Sequence, residues 1–556
     1  MTNAQRKQNR EMLIPILEAE FERIPSDHSI VTIHLQTAVD RGMDLVGQYN
    51  EGDSLIETIE IQQSNLEVRL MPYTDLRHFL GELAKRGELL VVDKAVDTDL
   101  EIGDIIRKIN DFEGPAVHFR NLKGYPGWTL VANVLGSLER TALAMETTVD
   151  RMIPEYVERM RNVDEFKPVL VPRDEALCKD VILKGEQIDC WEIPICKWHP
   201  RDGGRYIGFG IQITKDPDSG VPNASIVRQM VQKRDQISIL LQNGKHTAIH
   251  YFKKNRKGEP LDFAAAIGLD PVLSIVGCHN GPLDEDEFAV AGALRREPVR
   301  MVKCETVDVE VPAFAELIIE GLIMPGEVAE EGPFGEFSGF YTSQTKFNPY
   351  VKVTCITHRR DPIYQGTLEG RPPNEDNIFH SLPYSASILA EARVSCPGLT
   401  AFYMNPYGSG FFYGVASIKK MYPAHAHQAM HAIWASQGGK FLKQLIVVDD
   451  YINVYDPNDV TWAVATRTRA ERDVLIEPGA ITSLLDPAVF PRGGVGSKLG
   501  IDATDKWPQE GAAPAELAYS LIDHSESPYW AKIEEVGLDL YLGVDLAPWL
   551  KYRAKG

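Results

Sequence analysis

Two glutamates flank a short turn-forming segment at residues 331–336, which reads Glu-Gly-Pro-Phe-Gly-Glu. Its two glycines admit backbone angles closed to other residues and its proline fixes its own φ, so the segment predicts a tight, rigid turn. Such a turn can face Glu331 and Glu336 into one small cavity. Two carboxyl groups that lie so close together do not both ionise freely. The pKa of one of them is therefore raised, so that it holds a proton, unless a cation pairs with the other. The segment indicates proton transfer, with an acidic surface loop as the alternative that the segment alone leaves open.

The length and composition of the chain limit what surrounds this turn. At 556 residues the chain exceeds one hydrophobic core, and ordinary domain sizes predict roughly three units. Hydrophobic residues make up 44% and charged residues 25%, as in globular proteins. The net charge of -21 repels nucleic acid and anionic membrane surfaces, so neither is expected as a partner.

Several classes of site and location are disfavoured by the sequence. The seven cysteines are odd in number and contain no Cys-x-x-Cys pair, so we expect neither a disulfide framework nor a zinc or iron-sulfur site. No apolar run approaches the roughly 20 residues that span a bilayer, and the first ten residues do not resemble a signal peptide. We therefore expect a cytoplasmic protein without a membrane anchor.

The hydrophobic pattern divides the chain into four parts. Residues 1–70 form an appendage with a predicted amphipathic helix over residues 8–23, whose apolar stripe predicts a role in subunit contacts. Residues 71–180 alternate strands and helices, which predicts an N-terminal α/β lobe; Thr74 or Asp75 caps its first helix. Residues 181–345 are β-rich and predict a barrel or sandwich. Residues 346–556 return to alternating helices and strands, which predicts a C-terminal α/β lobe with a terminal helix.

Four motifs resemble, in order and spacing, those of the UbiD family of prenylated-flavin-dependent decarboxylases. They are the turn at residues 331–336, His-Pro-Arg-Asp-Gly-Gly-Arg-Tyr at 199–206 continuing to Asn-Ala-Ser-Ile-Val-Arg at 223–228, Gly-Arg-Pro-Pro-Asn-Glu at 370–375, and Gly-Ser-Lys-Leu-Gly-Ile-Asp-Ala-Thr at 496–504. The resemblance implies that the central part is a flavin-reductase-like split β-barrel carrying prenylated FMN. It also implies a homo-oligomer, a dimer or a hexamer, and a flavin prenyltransferase as the supplier of the cofactor.

The resemblance assigns three catalytic residues, Arg228, Glu331 and Glu336. Their chemistry agrees with the assignment, because a guanidinium can grip a substrate carboxylate and hold Glu331 ionised. Glu336 is then the group able to carry a proton. A surface ion pair is the alternative for Arg228 taken alone.

The resemblance also implies a cofactor and metal set. In the family an Asn, a His and a Glu hold a divalent metal on the flavin phosphate, and the matching residues are Asn223, His246 and Glu287. Such a ligand set suits Mn²⁺ or Mg²⁺. His250 competes with His246 for its place, and the acids at residues 284–286 compete with Glu287. The remaining implied cofactor and potassium contacts are Ser225, Ile226, Val227, Arg228, Lys245, Lys443 with Lys440 as its alternative, and Arg467 at a K⁺ site.

Two features of the sequence, the segment at residues 367–373 and the second acid of the turn, bear on the substrate. The segment at residues 367–373 resembles the branch of the family that acts on benzoate-type acids. The ubiquinone-pathway members of that branch carry an aspartate at the second acid of the turn, where this chain has Glu336. We therefore predict reversible, non-oxidative decarboxylation of another aromatic or heteroaromatic acid. The alternative is a flavin-binding redox or assembly subunit without decarboxylase activity.

Overall fold

The computed structural model describes residues 73–242, 244–341, 346–489, 494–512 and 527–544. The predicted appendage at residues 1–70, with its helix over residues 8–23, lies outside the described residues. From Thr74 onward the chain forms one unit, in which each of three regions is built around its own main sheet.

The N-terminal region alternates short helices and strands, as its sequence pattern predicts. Asp75 caps the first helix by accepting a hydrogen bond of 2.9 Å from the backbone N–H of His78. The elements are α1 (Leu76–Lys85), β1 (Leu89–Val92), α2 (Glu101–Asn110), β2 (Ala116–Phe119), β3 (Thr129–Ala132), α3 (Leu138–Ala144) and α4 (Met152–Arg159).

The central region is mostly strand. Its strands are β4 (Val169–Leu170), β5 (Val181–Lys184), β6 (Tyr206–Ile207), β7 (Ile211–Lys215), β8 (Pro222–Ile226), β9 (Gln229–Lys233), β10 (Gln236–Ser238), β11 (Leu261–Ile267), β12 (Arg300–Lys303), β13 (Glu310–Pro312), β14 (Leu317–Glu331), β15 (Lys346–His358) and β16 (Ile363–Gln365). Its helices are α5 (His246–Asn255), α6 (Pro271–Val276) and α7 (Glu287–Arg295).

Nine of these strands form one antiparallel sheet that curls into a half-barrel, in the order β6-β9-β10-β15-β14-β11-β7-β8 with β5 also paired to β15. Its two long central strands, β14 and β15, pair from Leu317↔His358 to Glu331↔Lys346. The central sheet therefore extends beyond the predicted boundary at residue 345. Strand β16 instead joins the N-terminal sheet, where it lies parallel to β3.

The C-terminal region begins with a long buried helix and continues into a five-stranded sheet. Its order is β17-β18-β19-β21-β20, and the three inner strands are parallel. The elements are α8 (Glu375–Ser395), β17 (Leu399–Met404), β18 (Tyr413–Ile418), α9 (His425–Ala435), β19 (Gln444–Asp449), α10 (Pro457–Arg467), α11 (Ala470–Asp473), β20 (Val474–Ile481), β21 (Val495–Ala503), α12 (Pro528–Val536) and α13 (Leu538–Leu542).

The packing of the sheets holds the strands and helices that carry the predicted site in place. The N-terminal and central sheets share one hydrophobic core, which includes Phe119, Trp198, Phe263 and Tyr364. Among the described residues, no helix is long and apolar enough to cross a membrane.

Candidate active site

The turn with the two glutamates begins where β14 ends, at Glu331. Gly332 has a φ of 100°, in the region that favours glycine because a Cβ would be strained there. The turn is held from outside by Asp202, whose carboxylate accepts hydrogen bonds from the backbone N–H of Gly335 at 2.9 Å and of His199 at 2.8 Å. The predicted tight turn is thus present, and it is fixed by the 199–203 segment as well as by its own residues.

Arg228 joins the two glutamates. Its Nε donates to Oε1 of Glu331 at 3.2 Å and its Nη2 donates to Oε2 at 3.1 Å, while its Nη1 donates to Oε1 of Glu336. The three side chains are buried, with 6%, 1% and 2% of Arg228, Glu331 and Glu336 exposed. Burial opposes the charge on Arg228, but Glu336 and Glu331 outweigh it and raise the pKa of the guanidinium above its ordinary value.

The two carboxyls have different surroundings. Glu331 also accepts a hydrogen bond of 2.8 Å from the hydroxyl of Tyr206 and one of 2.7 Å from Nδ2 of Asn348. Burial and the adjacent Glu331 raise the pKa of the Tyr206 hydroxyl, which keeps it a donor. Hydrogen-bond donors therefore surround the Glu331 carboxylate, whereas Glu336 borders the adjoining cavity.

The cavity has a volume of about 170 Å³ and lies between the half-barrel and the N-terminal end of α8. Glu336 and Arg228 lie on its wall, and so do the predicted cofactor-binding residues of β8 and of the start of α5. Those residues are Asn223, Ser225, Ile226, Val227, Lys245 and His246.

The predicted metal ligands meet at this cavity. Oε1 of Glu287 lies 3.8 Å from Nδ1 of His246, and Oε2 of Glu287 accepts a hydrogen bond of 3.0 Å from the backbone N–H of Ala224, next to Asn223. Glu287 is 3% exposed, so its charge is costly unless a cation compensates it. An amide oxygen, an imidazole and a buried carboxylate fit a hard divalent cation.

The competing residues have other contacts. His250 is buried, with its Nδ1 2.9 Å from Oγ1 of Thr214 and its Nε2 3.7 Å from a carboxylate oxygen of Asp216. Asp286 caps α7, and Glu285 accepts a hydrogen bond of 2.8 Å from His279. The geometry therefore favours His246 and Glu287 over their alternatives, although their role as ligands stays a prediction.

Two predicted contacts lie away from the cavity wall. Lys443 pairs with Asp486 at 2.9 Å, and its alternative Lys440 lies over the ring of Phe441 with its Nζ 5.3 Å from the centroid. Arg467 ends α10 and donates from its Nε to Asp505 at 2.9 Å. Because none of the three lines the cavity, their contacts with phosphate or potassium stay predictions.

The sequence did not predict several residues of the cavity wall, among them Glu369, Asp376 and His380. Asp376 and His380 are four residues apart on α8, which places them on one helix face, and Oδ2 of Asp376 lies 3.3 Å from Nδ1 of His380. Although burial lowers it, Asp376 and Cys278 raise the pKa of His380 above its ordinary value. The helical spacing was a readable signal for this pair, but only the fold shows that α8 begins at the cavity.

Sequence models of the three UbiD domains match most of the described chain. The 3-octaprenyl-4-hydroxybenzoate carboxy-lyase N-terminal domain matches residues 80–160, the Rift-related domain 169–372 and the C-terminal domain 377–503. An uncharacterized protein of Archaeoglobus fulgidus is 36% identical over 461 residues, which cover 79% of this chain and 94% of that protein. The chain belongs to the UbiD family.

Solved structures agree with this membership. The UbiD-class enzyme HmfF from Pelotomaculum thermopropionicum, in complex with FMN, is 36% identical with a TM-score of 0.73, and the match covers 81% of this chain and 98% of that one. An evolved dimeric form of HmfF in complex with prFMN is 34% identical with a TM-score of 0.70, covering 82% and 99%. The vanillic acid decarboxylase of Sedimentibacter hydroxybenzoicus is 29% identical with a TM-score of 0.76, covering 83% and 98%.

The predicted multi-domain α/β fold and the predicted enzyme class are therefore confirmed. The chain is a carboxy-lyase of the UbiD family.

Proposed function

We propose that this protein decarboxylates an aromatic or heteroaromatic carboxylic acid with prenylated FMN as its cofactor. The observation that carries the proposal is the buried cluster of Arg228, Glu331 and Glu336 at the wall of a cavity. A decarboxylase needs a cation to orient a carboxylate and an acid to protonate the carbon that loses it. Glu336 and Arg228 lie side by side at one cavity and meet both needs.

Arg228 fixes the orientation of the substrate. Two hydrogen bonds to Glu331 already hold the guanidinium in place, so little conformational entropy remains to be lost when a substrate carboxylate binds beside it. That carboxylate brings a further negative charge beside Glu336, which favours the protonated form of Glu336. Substrate binding thus helps Glu336 to keep the proton that the reaction needs.

Glu336 supplies the proton. Prenylated FMN, when bound, supplies the electron sink that no amino-acid side chain offers. Glu336 then donates its proton to the ring carbon that has released CO₂, and its carboxylate remains paired with Arg228. Arg228 and Glu331 keep their contact throughout, which holds the geometry from one turnover to the next.

Asn223, His246 and Glu287 would hold Mn²⁺ or Mg²⁺ at the phosphate end of the cofactor. A dianionic phosphate beside the carboxylate of Glu287 repels it unless a cation lies between them. The structures of HmfF in complex with FMN and with prFMN support a flavin as the cofactor of this protein.

A flavin-binding redox or assembly subunit is the competing function. Such a protein has no need of a buried acid pair on an arginine, and a buried charge cluster of this kind is costly to keep. The intact cluster therefore favours the decarboxylase.

The proposal is tested with protein purified after expression with and without a flavin prenyltransferase. The flavin absorbance is recorded, and CO₂ release is measured with a panel that includes vanillic acid, 3,4-dihydroxybenzoic acid and furan-2-carboxylic acid. We expect CO₂ release from at least one acid, only after co-expression. Activity with unmodified FMN would overturn the cofactor assignment, and a flavin-loaded protein inactive across the panel would favour the redox alternative.

A further inference from the structure

Decarboxylation consumes one proton per turnover, and this proton must reach a buried carboxyl. Glu336 is 2% exposed, and Arg228, itself 6% exposed, pairs with it. After it protonates the product, Glu336 is a carboxylate in a cavity that the ligands fill. Its proton must then come from a group on the cavity wall or from water that reaches that wall.

Glu369 is a second carboxyl on the wall that holds Glu336. It lies in the loop between β16 and α8, and as a residue it is more exposed than Glu336, so water in the cavity reaches it more readily than it reaches Glu336. The proposed reaction assigns it no role.

The loop with Glu369 packs directly on the turn with Glu336. The ring of His199 lies against Gly335 so closely that a Cβ at that glycine would be 2.3 Å from Cδ2 of His199. Nε2 of the same ring lies 2.8 Å from the carbonyl oxygen of Glu369. One imidazole ring therefore separates the backbone of the turn from the backbone of the loop.

A second contact joins the turn with Glu336 to the first turn of α8, which follows the loop with Glu369. Nδ2 of Asn377, in the first turn of α8, donates a hydrogen bond of 3.0 Å to the carbonyl oxygen of Phe337. Because both Gly335 and Phe337 are held, the segment that carries Glu336 has a fixed position relative to Glu369.

Glu369 is also placed where it holds a proton at neutral pH. Burial, followed by the carboxylates of Asp376 and Glu336, raises its pKa well above the usual value, while Arg228 and His380 oppose the shift. These four charged groups come from the acid turn, the β8–β9 connection and α8, which are the elements around the loop.

We propose that Glu369 is the relay that returns a proton to Glu336 after each turnover. The proton of the Glu369 carboxyl moves to the Glu336 carboxylate, directly or through one water, and Glu369 then takes a proton from cavity water. One solvent proton enters for each CO₂ released, so the reaction balances. The inference rests on the proposed function, in which Glu336 is the acid.

The relay predicts that, in holoenzyme with the Glu369→Gln substitution, the rate of the first turnover differs from the rate of later turnovers. The acid from the panel that turns over is mixed with enzyme, and the product is quantified in single-turnover and multiple-turnover quench experiments. We expect an unchanged first turnover, because Glu336 starts protonated, and later turnovers slower by at least about tenfold. Glu369→Asp should restore most of the steady-state rate, since it retains a carboxyl.

Two kinetic results would overturn the relay. An unchanged steady-state rate in Glu369→Gln would show that Glu336 is reprotonated by another route. A first turnover slowed as much as the later ones would show that Glu369 positions the substrate.

An infrared titration tests the same residue without substrate or cofactor. The full-length apo protein is measured above the pKa of about 7 that Glu146 and Glu375 have, so that these two buried acids are ionised. We expect a carbonyl band of a protonated carboxylic acid that is lost in Glu369→Gln and persists in Glu336→Gln and in the matched variant Glu375→Gln. Absence of the band from wild-type protein would overturn the relay, whatever the outcome of the acid panel.

Discussion

At the scale of single residues, the asymmetry between Glu331 and Glu336 decides their roles. Glu331 receives hydrogen bonds from Arg228, Tyr206 and Asn348, so both of its oxygens are already engaged within the protein. Glu336 sits at the cavity wall against the same guanidinium. One cation between two carboxylates leaves a negative charge in excess, and a proton on Glu336 removes it.

Glu336→Gln keeps the shape of the side chain but removes the acid. We expect the rate of CO₂ release per bound flavin to fall by about 10²-fold or more, with the flavin absorbance of the purified protein unchanged. Glu336→Asp is the matched control, because it retains an acid and should keep part of the activity. Loss of flavin from Glu336→Gln, or near-normal turnover, would contradict the assignment.

Substitution of Asn223 tests whether this end of the cavity binds the metal and the flavin. Its Nδ2 donates to Oγ1 of Thr247 at 3.1 Å, which leaves the amide oxygen as the atom available to a metal. We expect Asn223→Ala, or chelation before reconstitution, to lower flavin occupancy measured by absorbance and bound Mn²⁺ measured by elemental analysis. Asn223→Asp, which keeps a side-chain oxygen at this position, is the control and should retain more metal and flavin than Asn223→Ala. Full flavin occupancy in metal-free protein would refute the metal's role.

Residues inside local motifs could be predicted from the sequence, and residues brought in by long-range packing could not. Arg228, Glu331 and Glu336 lie in recognisable segments, and the structure brings them together. Glu369 lies inside the 367–373 segment that resembles the benzoate-type branch, but it stands 33 positions beyond Glu336 in the sequence, and no spacing rule places the two at one cavity. Both line one cavity, and His199, far earlier in the chain, packs between their segments.

At the scale of elements, the hydrophobic periodicity of the sequence predicted individual helices and strands better than it predicted the boundaries between regions. The cap at Asp75 and the helix that follows are local, and the structure has them at Leu76–Lys85. Strand β15 belongs to the central sheet because it pairs with β14, the strand before it in the chain, and a strand pattern alone does not show which strand is its partner. The predicted division at residue 345 cut between these two partners.

The backbone at Gly203 lies so close to the acid turn that a substitution there should change the activity. A Cβ at Gly203 would lie 2.2 Å from the carbonyl oxygen of Gly332, whereas a Cβ at Gly204 would lie 3.1 Å from Cγ of the flexible Met230 side chain. Gly203→Ala must therefore displace the backbone of the acid turn. Since a shift of about 1 Å can cost about 100-fold in rate, we expect kcat/KM to fall by that order.

Gly204→Ala is the matched control for this substitution, one residue away. It should stay close to wild type in both CO₂ release and Tm, because the Met230 side chain can move aside. Equal activity of the two variants would show that the 199–203 segment does not set the position of the turn.

At the scale of the whole molecule, a buried histidine makes the stability of the fold depend on pH. His250 lies on α5 against β7, fully buried, with Thr214 and Asp216 as its neighbours. Burial, which outweighs the opposing Asp216, lowers its pKa from 6.5 to about 4. Between these two pH values the unfolded chain binds a proton at this position that the folded chain does not.

Stability must therefore fall as the pH is lowered through this window. The histidine's contribution is present above pH 6.5 and is lost toward pH 4, by an amount on the order of 3 kcal/mol at about 1.4 kcal/mol per pH unit. Urea unfolding at a series of pH values measures it. His250→Asn should be less stable near neutrality but lose less stability on acidification, whereas the exposed His431→Asn should follow wild type. A wild-type curve and a His250→Asn curve that run parallel from pH 6.5 to 4 would show that His250 is not the group that titrates.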